Sequence, residues 1–143
     1  MIILNQRLAG ENKRIVNSTL TLPFELRKKC RFRAVLDDGQ EITLMLDRGK
    51  TLQEGDVLGS DCGLAIRVCA ASEPLSMATT CDPLLLLRAC YHLGNRHTQL
   101  QIGEHGLSYL RDHVLDEMII HLGLDIKHET QPFQPELGAY HHG

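Results

Sequence analysis

The sequence of 143 residues has no tryptophan, only three tyrosines and three phenylalanines, and no long apolar run. No apolar run exceeds four residues, the length of L-L-L-L at 84–87, which is far short of the roughly 18 that a membrane-spanning helix needs. The first residues also lack the basic region, the apolar region and the cleavage site of a signal peptide. We therefore expect a soluble, cytoplasmic protein with no membrane partner.

An excess of positive charge is absent as well. The chain carries 15 Lys and Arg against 18 Asp and Glu, a formal net charge of −3. A protein that binds nucleic acid mainly through its phosphates is usually strongly basic. The charge therefore predicts no nucleic-acid partner.

Cysteine patterns that build disulfide frameworks or zinc sites are missing. The five cysteines are an odd number, and no two of them form a C-x-x-C pair. A closed thiolate zinc site or a set of disulfides needs such pairing. We expect most of these cysteines to be small buried hydrophobic residues.

The common catalytic motifs are also absent. The sequence has neither of the glycine-rich nucleotide loops, G-x-G-x-x-G and G-x-x-x-x-G-K-[ST], and it has no G-x-S-x-G or H-E-x-x-H. The residues therefore predict that the protein is not an enzyme. A small ferredoxin-like enzyme remains the least favoured alternative.

Residues 1–73 show the pattern of a small β-domain. Segments 18–22, 31–36, 41–46 and 64–70 alternate or are continuously apolar, and turn signals containing glycine separate them. Segments 31–36 and 41–46 flank D-D-G-Q, so we expect a hairpin that buries one face of each strand. The spacing indicates a small barrel or sandwich. A basic cluster at 27–33 is either a solvated strand edge or a docking surface for a partner protein.

Residues 74–143 change to a mixed pattern. We expect a strand at 75–80, and then a helix at 84–93 that Asp82 caps and Gly94 ends. Strands at 98–102 and 106–110, a helix from Asp112 to Gly123 and a strand near 125–130 complete the order β-α-β-β-α-β. This is the ferredoxin-like arrangement, so the fold class is α+β. The prolines and glycines from Gln131 onward predict a flexible C-terminal tail.

The first of these helices is apolar on nearly every side. A helix at the surface of a small domain needs only one apolar stripe. We therefore expect a second protomer to cover the other side and the protein to be a homodimer through residues 74–143.

All eight histidines lie in the second half of the chain, from His92 onward. Histidine is the commonest metal-ligating side chain, so this half is where metal binding is expected. We expect His92 to be a core or interface residue, His105 to lie in a turn and His128 to be an exposed strand residue. Glu117 and its flanking histidines, His113 and His121, recur at four-residue spacing, which fits either a weak metal pair or a solvated helix face.

His97 follows G-N-R at a helix-to-strand junction, where side chains reach the surface. One imidazole cannot hold a metal ion alone, because four to six ligands are usual. A two-fold axis through His97 would supply two imidazoles, and His141 and His142 on the two tails would add up to four more. The residues alone leave open whether His97 binds metal or is incidental.

Several stretches together closely resemble the UreE family of urease accessory proteins. They are A-C-Y-H-L-G-N-R-H at 89–97, L-Q-I at 100–102, D-H-V-L-D-E-M at 112–118, L-G at 122–123, P-F-Q-P-E at 132–136 and G-A-Y at 138–140. The first half is also similar to that family, through 31–36, D-G at 38–39, 46–49 and G-D-V-L at 55–58. The resemblance covers nearly the whole chain.

This resemblance implies a nickel metallochaperone that hands Ni²⁺ to the urease apoprotein with the accessory GTPase UreG. It implies a peptide-binding β-domain followed by a ferredoxin-like domain that binds metal and dimerises. The nickel histidine of the family maps onto His97, and its tail histidines map onto His141 and His142. Leu110 and Arg111 stand where some members carry a histidine pair, which puts an auxiliary site at His113 in doubt.

Imidazole ligands suit Ni²⁺, Zn²⁺ and Cu²⁺ alike, so the site chemistry does not select nickel by itself. The alternative interpretation is a metal-independent scaffold or adaptor of a protein-assembly complex, in which the histidines are incidental.

Overall fold

The structure, a computed structural model, describes residues 1–9 and 15–138. They form two compact units, Met1–Ala71 and Ser72–Gly138. The first unit is almost entirely β, and the second alternates helices and strands. The α+β fold class predicted from the sequence is confirmed.

The described part of the first unit, 1–9 and 15–71, contains seven strands and one short helix. The strands are β1 (Ile2–Leu4), β2 (Gln6–Leu8), β3 (Ser18–Leu22), β4 (Arg31–Val35), β5 (Glu41–Met45), β6 (Val57–Gly59) and β7 (Ala65–Ala70), and the helix is α1 (Phe24–Arg27). They form a three-stranded sheet in the order β1-β5-β4 and a four-stranded sheet in the order β2-β6-β7-β3. Within 1–9 and 15–71, the strands therefore form two separate sheets and do not close into a barrel.

The hairpin expected in this unit is present. Strands β4 and β5 pair antiparallel, with Phe32 opposite Leu44 and Ala34 opposite Ile42. Gly39 in the connecting turn has a φ of +96°, a conformation that glycine adopts without strain. Both strands turn these apolar side chains toward a core that is rich in leucine.

The second unit contains four strands and two helices. They are β8 (Ser72–Thr79), α2 (Pro83–Asn95), β9 (Gln101–Ile102), β10 (Gly106–Leu110), α3 (His113–Leu122) and β11 (Asp125–Pro132). The strands form one antiparallel sheet in the order β11-β8-β10-β9. Together with the element order β-α-β-β-α-β, this is the ferredoxin-like arrangement.

Both helices begin where the sequence predicted. Asp82 accepts hydrogen bonds from the backbone N–H groups of Leu84 and Leu85, and Asp112 caps α3 in the same way. Gly123 ends α3 with a φ of +112°, as expected. Gly94 does not end α2, which continues to Asn95, so that boundary was wrong. In the described ranges, neither helix is long and apolar enough to cross a bilayer.

The prediction of a flexible tail from Gln131 is wrong for the residues up to Glu136. Strand β11 runs to Pro132 and pairs with β8 as far as Ser72. Phe133 is fully buried, and the backbone N–H of Glu136 donates to the Leu100 carbonyl at 2.6 Å. Burial of one aromatic side chain and the continued strand pairing hold this proline-containing segment against the second unit.

The five cysteines are free thiols and none of them is buried, so the expected burial is wrong. Cys62 and Cys81 are exposed, and the other three are half-buried. Cys62 lies in a turn with its Sγ 3.0 Å from the Ser60 hydroxyl, and Cys81 lies between β8 and α2. Turns and junctions of this kind reach the surface, which explains the exposure.

Candidate metal site

His97 lies directly after α2 in a backbone conformation that is unusual for its residue type. Its φ is +58°, and no other non-glycine residue in 1–9 and 15–138 has a positive φ. Its N–H donates to the Gly94 carbonyl at 2.9 Å, and the N–H of Thr98 donates to the Leu93 carbonyl at 3.1 Å. This pair of bonds is the Schellman motif, in which the left-handed position is usually glycine.

The His97 side chain is exposed. Its imidazole makes no hydrogen bond or ion pair with any residue that the structure describes. The α2 hydrogen bonds fix the backbone beneath the ring, while the ring nitrogens stay accessible to a ligand. A side chain held in this way can donate to a metal ion at the surface without a change in the fold.

The described residues do not complete a metal site within one chain. No group of three or more His, Cys, Asp or Glu side chains in 1–9 and 15–138 is arranged to hold an ion. The predicted ligands His141 and His142 lie outside the described residues. The ligand set of His97, His141 and His142 therefore stays a prediction.

The last described residues bond to the segment that follows His97. The Gln134 N–H donates to the Gln101 side-chain oxygen at 2.9 Å, and the Glu136 N–H donates to the Leu100 carbonyl. Leu100 is three residues after His97. From Glu136, the five-residue step to His141 spans at most about 18 Å of extended chain.

The other histidines on the helices do not form a site. His92 is exposed, so the core half of its prediction as a core or interface residue is wrong, and its place in an interface stays a prediction. Its ring makes an edge contact with Tyr91 at 5.4 Å between centroids. His92, Glu117 and His121 line a shallow groove of about 460 Å³. His113 is exposed at the start of α3 and does not line that groove.

His128 belongs to a polar network that the sequence did not reveal. Asp116 on α3 is only 7% exposed, and its carboxylate accepts hydrogen bonds from the Tyr109 hydroxyl at 2.6 Å and from His128 Nε2 at 2.7 Å. His128 is an exposed residue of β11, as predicted, and its hydrogen bond to the buried Asp116 is the feature that the sequence did not predict. One indication in the sequence that Asp116 is buried is its position directly after Leu115 in the apolar pattern of α3.

The network shifts the pKa values of its members. Burial raises the pKa of Asp116, but its polar neighbours together lower it below the ordinary value. These neighbours are Ser76, Tyr109 and His128. The Ser76 hydroxyl falls short of full hydrogen-bond geometry. Burial and the bond to Asp116 raise the pKa of the Tyr109 hydroxyl, which stays protonated as a donor. The network links α3 to β10 and β11.

Helix α2 presents an apolar stripe on the side away from its own core. Leu84, Leu87 and Tyr91 are 53%, 66% and 65% exposed at positions i, i+3 and i+7. The opposite face buries Leu86 and Leu93. The stripe runs toward the end of the helix that carries His97. This arrangement matches the expected lack of a polar face, and its cover by a second protomer stays a prediction.

Comparison with known proteins assigns both units to one family. Residues 2–71 match the N-terminal domain of the UreE urease accessory protein, and residues 73–143 match its C-terminal domain. The urease accessory protein UreE of Alkalilimnicola ehrlichii is 51% identical over 140 residues, which cover 98% of this chain and 85% of the relative. The UreE proteins of Pseudomonas putida and of Enterobacter sp. (strain 638) are each 48% identical over 141 residues, covering 98% of this chain and 84% and 91% of the relatives. The chain belongs to the UreE family of urease accessory proteins.

Proposed function

We propose that the protein is a nickel metallochaperone that delivers Ni²⁺ to the urease apoprotein while the urease active site is assembled. The accessory GTPase UreG is its partner in that step, and the cytoplasm is its compartment. The observation that carries the proposal is the exposed imidazole of His97, which α2 holds in a position where glycine is the usual residue. Nickel is the cargo of the protein rather than a resident cofactor.

The proposed site is shared by two protomers. His97 from each chain supplies the fixed ligands, because one chain assembles no group of three ligands among its described residues. His141 and His142 of the two chains supply the remaining ligands. Two imidazoles of His97 and up to four from these residues reach the four to six ligands that such ions take.

The proposed dimer forms through α2. Three large side chains that are more than half exposed on one stripe of a helix expose an apolar surface of the kind that marks an interface. A self-complementary contact along this stripe relates the two protomers by a two-fold axis. Because His97 directly follows the helix that carries the stripe, such a contact would bring the two imidazoles toward one two-fold axis.

The ligand chemistry does not by itself make the site selective for nickel. Imidazole binds Zn²⁺ and Cu²⁺ as well as Ni²⁺, and Cu²⁺ binds such ligands more tightly than Ni²⁺. Selectivity for nickel then depends on metal supply and on the partner proteins. An exposed site also suits transfer to an acceptor.

The test is nickel titration by calorimetry with the purified full chain and two alanine variants. His97→Ala removes both fixed ligands of a dimer, so we expect it to abolish the tight site and urease activation. His105→Ala is the matched control, because His105 is also exposed but lies in the polar turn between β9 and β10 rather than at the end of α2. It should bind nickel like the wild type. Circular dichroism should show both variants folded, since neither ring is buried.

Deletion of residues 140–143 separates the contribution of His97 from that of His141 and His142. Flexible ligands lose conformational entropy when they bind, so they contribute less than a held ligand does. The deletion should therefore weaken nickel binding without abolishing it. Loss of nickel in the deletion together with retention in His97→Ala would contradict a site centred on His97.

A metal-independent adaptor is the second candidate function. It is favoured by the lack of an assembled metal site among residues 1–9 and 15–138. Under this alternative the wild-type protein takes up no nickel in the titration, and His97→Ala activates urease as well as the wild type does.

A further inference from the structure

The first unit contains a cleft whose charged lining is entirely positive. It encloses about 700 Å³ between the segment 28–31, which joins α1 to β4, and the segment 48–51, which follows β5. Five of its eight lining residues are basic, namely Lys28, Lys29, Arg31, Arg48 and Lys50, and the other three are uncharged. We call this surface the cationic cleft.

Backbone hydrogen bonds fix the two walls of the cationic cleft. The Leu46 N–H donates to the Cys30 carbonyl at 2.9 Å, and the Leu52 N–H donates to the Arg27 carbonyl at 2.8 Å. Arg27 itself is buried, and its guanidinium donates to the carbonyls of Leu22 and Leu52. Arg27 therefore positions the walls and is not part of the basic surface, although the sequence places it in the same cluster.

Most of the positive charge in the cleft is unneutralised. Lys28 forms an ion pair with Glu25 at 2.8 Å. Within the described ranges, no carboxylate lies within 4 Å of the side-chain nitrogens of Lys29, Arg31, Arg48 or Lys50. Like charges held together repel one another, and an anion in the cleft relieves that repulsion. The chain as a whole has a net charge of −3, so this cluster opposes the overall sign of the molecule.

The basic surface continues beyond the cleft in one direction. Arg31 and Arg33 are exposed on the same face of β4, because the alternate residues Phe32 and Ala34 pack against the core. Strand β4 lies at the edge of its sheet. A row of cations along an edge strand fits an extended chain with several negative charges better than it fits one small ion.

Two properties of the protein disfavour nucleic acid as the ligand of the cleft. Single-stranded nucleic acid is bound by aromatic side chains that stack on its bases, and no aromatic residue lines the cleft. The negative net charge of the chain also opposes the approach of a long polyanion. A short peptide carries its charge on carboxylates within a few residues and needs no stacking platform.

We infer that the cationic cleft binds an acidic peptide segment, rich in Asp and Glu, of a partner protein. Carboxylates of the segment pair with Arg31 and Arg48, one on each wall, and with the neighbouring lysines. This inference goes beyond the proposed nickel function and does not depend on it.

The test measures the binding of a fluorescent peptide of six glutamates to the full chain by anisotropy. The double variant Arg31→Glu/Arg48→Glu reverses one charge on each wall. We expect the dissociation constant to rise by about tenfold, because two attractive charge pairs become repulsive. Raising the salt from about 50 to about 300 mM should also weaken binding to the wild type.

The matched control is Arg111→Glu/Lys127→Glu, which changes the net charge equally but alters two exposed residues of the second unit. It should bind the peptide like the wild type, and circular dichroism should show both variants folded. The inference is wrong if the peptide does not bind, if both double variants weaken binding equally, or if a single-stranded oligonucleotide or inorganic phosphate binds in place of the peptide. Nickel titration of the cleft variant should match the wild type, which keeps this test separate from that of the nickel site.

Discussion

At the scale of single residues, His97 combines an exposed ligand with a strained backbone. An L-residue in the left-handed region is destabilised by roughly 1–2 kcal/mol relative to its right-handed form. Glycine would avoid that cost and would complete the same two hydrogen bonds at the end of α2. A histidine at this position lowers stability locally while it places an imidazole at a fixed point of the surface.

The first prediction at this scale compares two ways of removing the imidazole. His97→Gly and His97→Ala both abolish the ligand, but only glycine relieves the strained φ of +58°. We expect the glycine variant to exceed the alanine variant by about 1 kcal/mol in the free energy of unfolding, measured by urea titration without metal. Equal stabilities would mean that the left-handed conformation is not retained in solution.

The second prediction concerns the buried carboxylate of Asp116. Its neighbours lower its pKa in the folded state, so the native chain binds fewer protons there than the unfolded chain does. The resulting stability is present above the unfolded pKa of about 4 and is lost as the pH falls through the lowered folded pKa. We expect Asp116→Asn to lose about 2 kcal/mol at neutral pH, because it weakens charge-assisted hydrogen bonds to Tyr109 and His128.

The difference between the wild type and Asp116→Asn should then shrink below about pH 4, which urea unfolding at several pH values would measure. Glu117→Gln is the control, because Glu117 is the next residue along α3 and is exposed. It should change stability little at any pH. A gap between the wild type and Asp116→Asn that stays constant down to pH 2 would contradict the assignment.

At the scale of elements, local signals were predictable and distant pairings were not. The Asp82 cap, the Asp112 cap and the hairpin of β4 and β5 each depend on residues within about ten positions of one another. Strand β1 instead pairs parallel with β5, opposite residues forty positions away. A three-residue strand is also too short to show a period, whereas β9 (Gln101–Ile102) lies within the strand predicted at 98–102.

The candidate site shows the same division. His97 was identifiable from its position after G-N-R and from the resemblance to a known family. The left-handed backbone conformation of His97 was not predictable from the sequence. Glycine is the residue type that usually ends a helix, but α2 continues through Gly94 to Asn95. The Asp116 network was missed because its partners come from three separate elements, so no spacing in the sequence relates them.

At the scale of the whole molecule, net charge conceals local charge. The net charge of the chain is −3, and the fold nevertheless contains a cleft lined by five basic side chains. Composition averages over both units and therefore cannot reveal a surface that only the fold assembles. Residues from the α1–β4 junction and from the segment after β5 become neighbours only when the hairpin closes.

The prediction at this scale is that the full chain dimerises through the exposed stripe of α2. Leu87→Glu places a charge in the middle of that stripe without disturbing the core, because Leu87 is mostly exposed in one chain. A charge buried without a partner in an interface costs several kcal/mol, so we expect monomers at micromolar concentration by sedimentation. Val35→Glu, at an exposed apolar residue of the first unit, should leave the dimer intact. A wild-type monomer, or a Leu87→Glu dimer, would contradict the prediction.

The parallel pairing of β1 with β5 sets the order in which the first unit can fold on the ribosome. Ile2 emerges first but must wait for Ile42, and Ser18 must wait for Ile66. Pairings this far apart along the chain form slowly, because a long loop has to close before any contact stabilises it. During synthesis, β1 therefore stays unpaired until β5 (Glu41–Met45) has been made, and β3 stays unpaired until β7 (Ala65–Ala70) has been made. Early contact with a chaperone would protect the nascent chain over that interval, in which it is most exposed to aggregation.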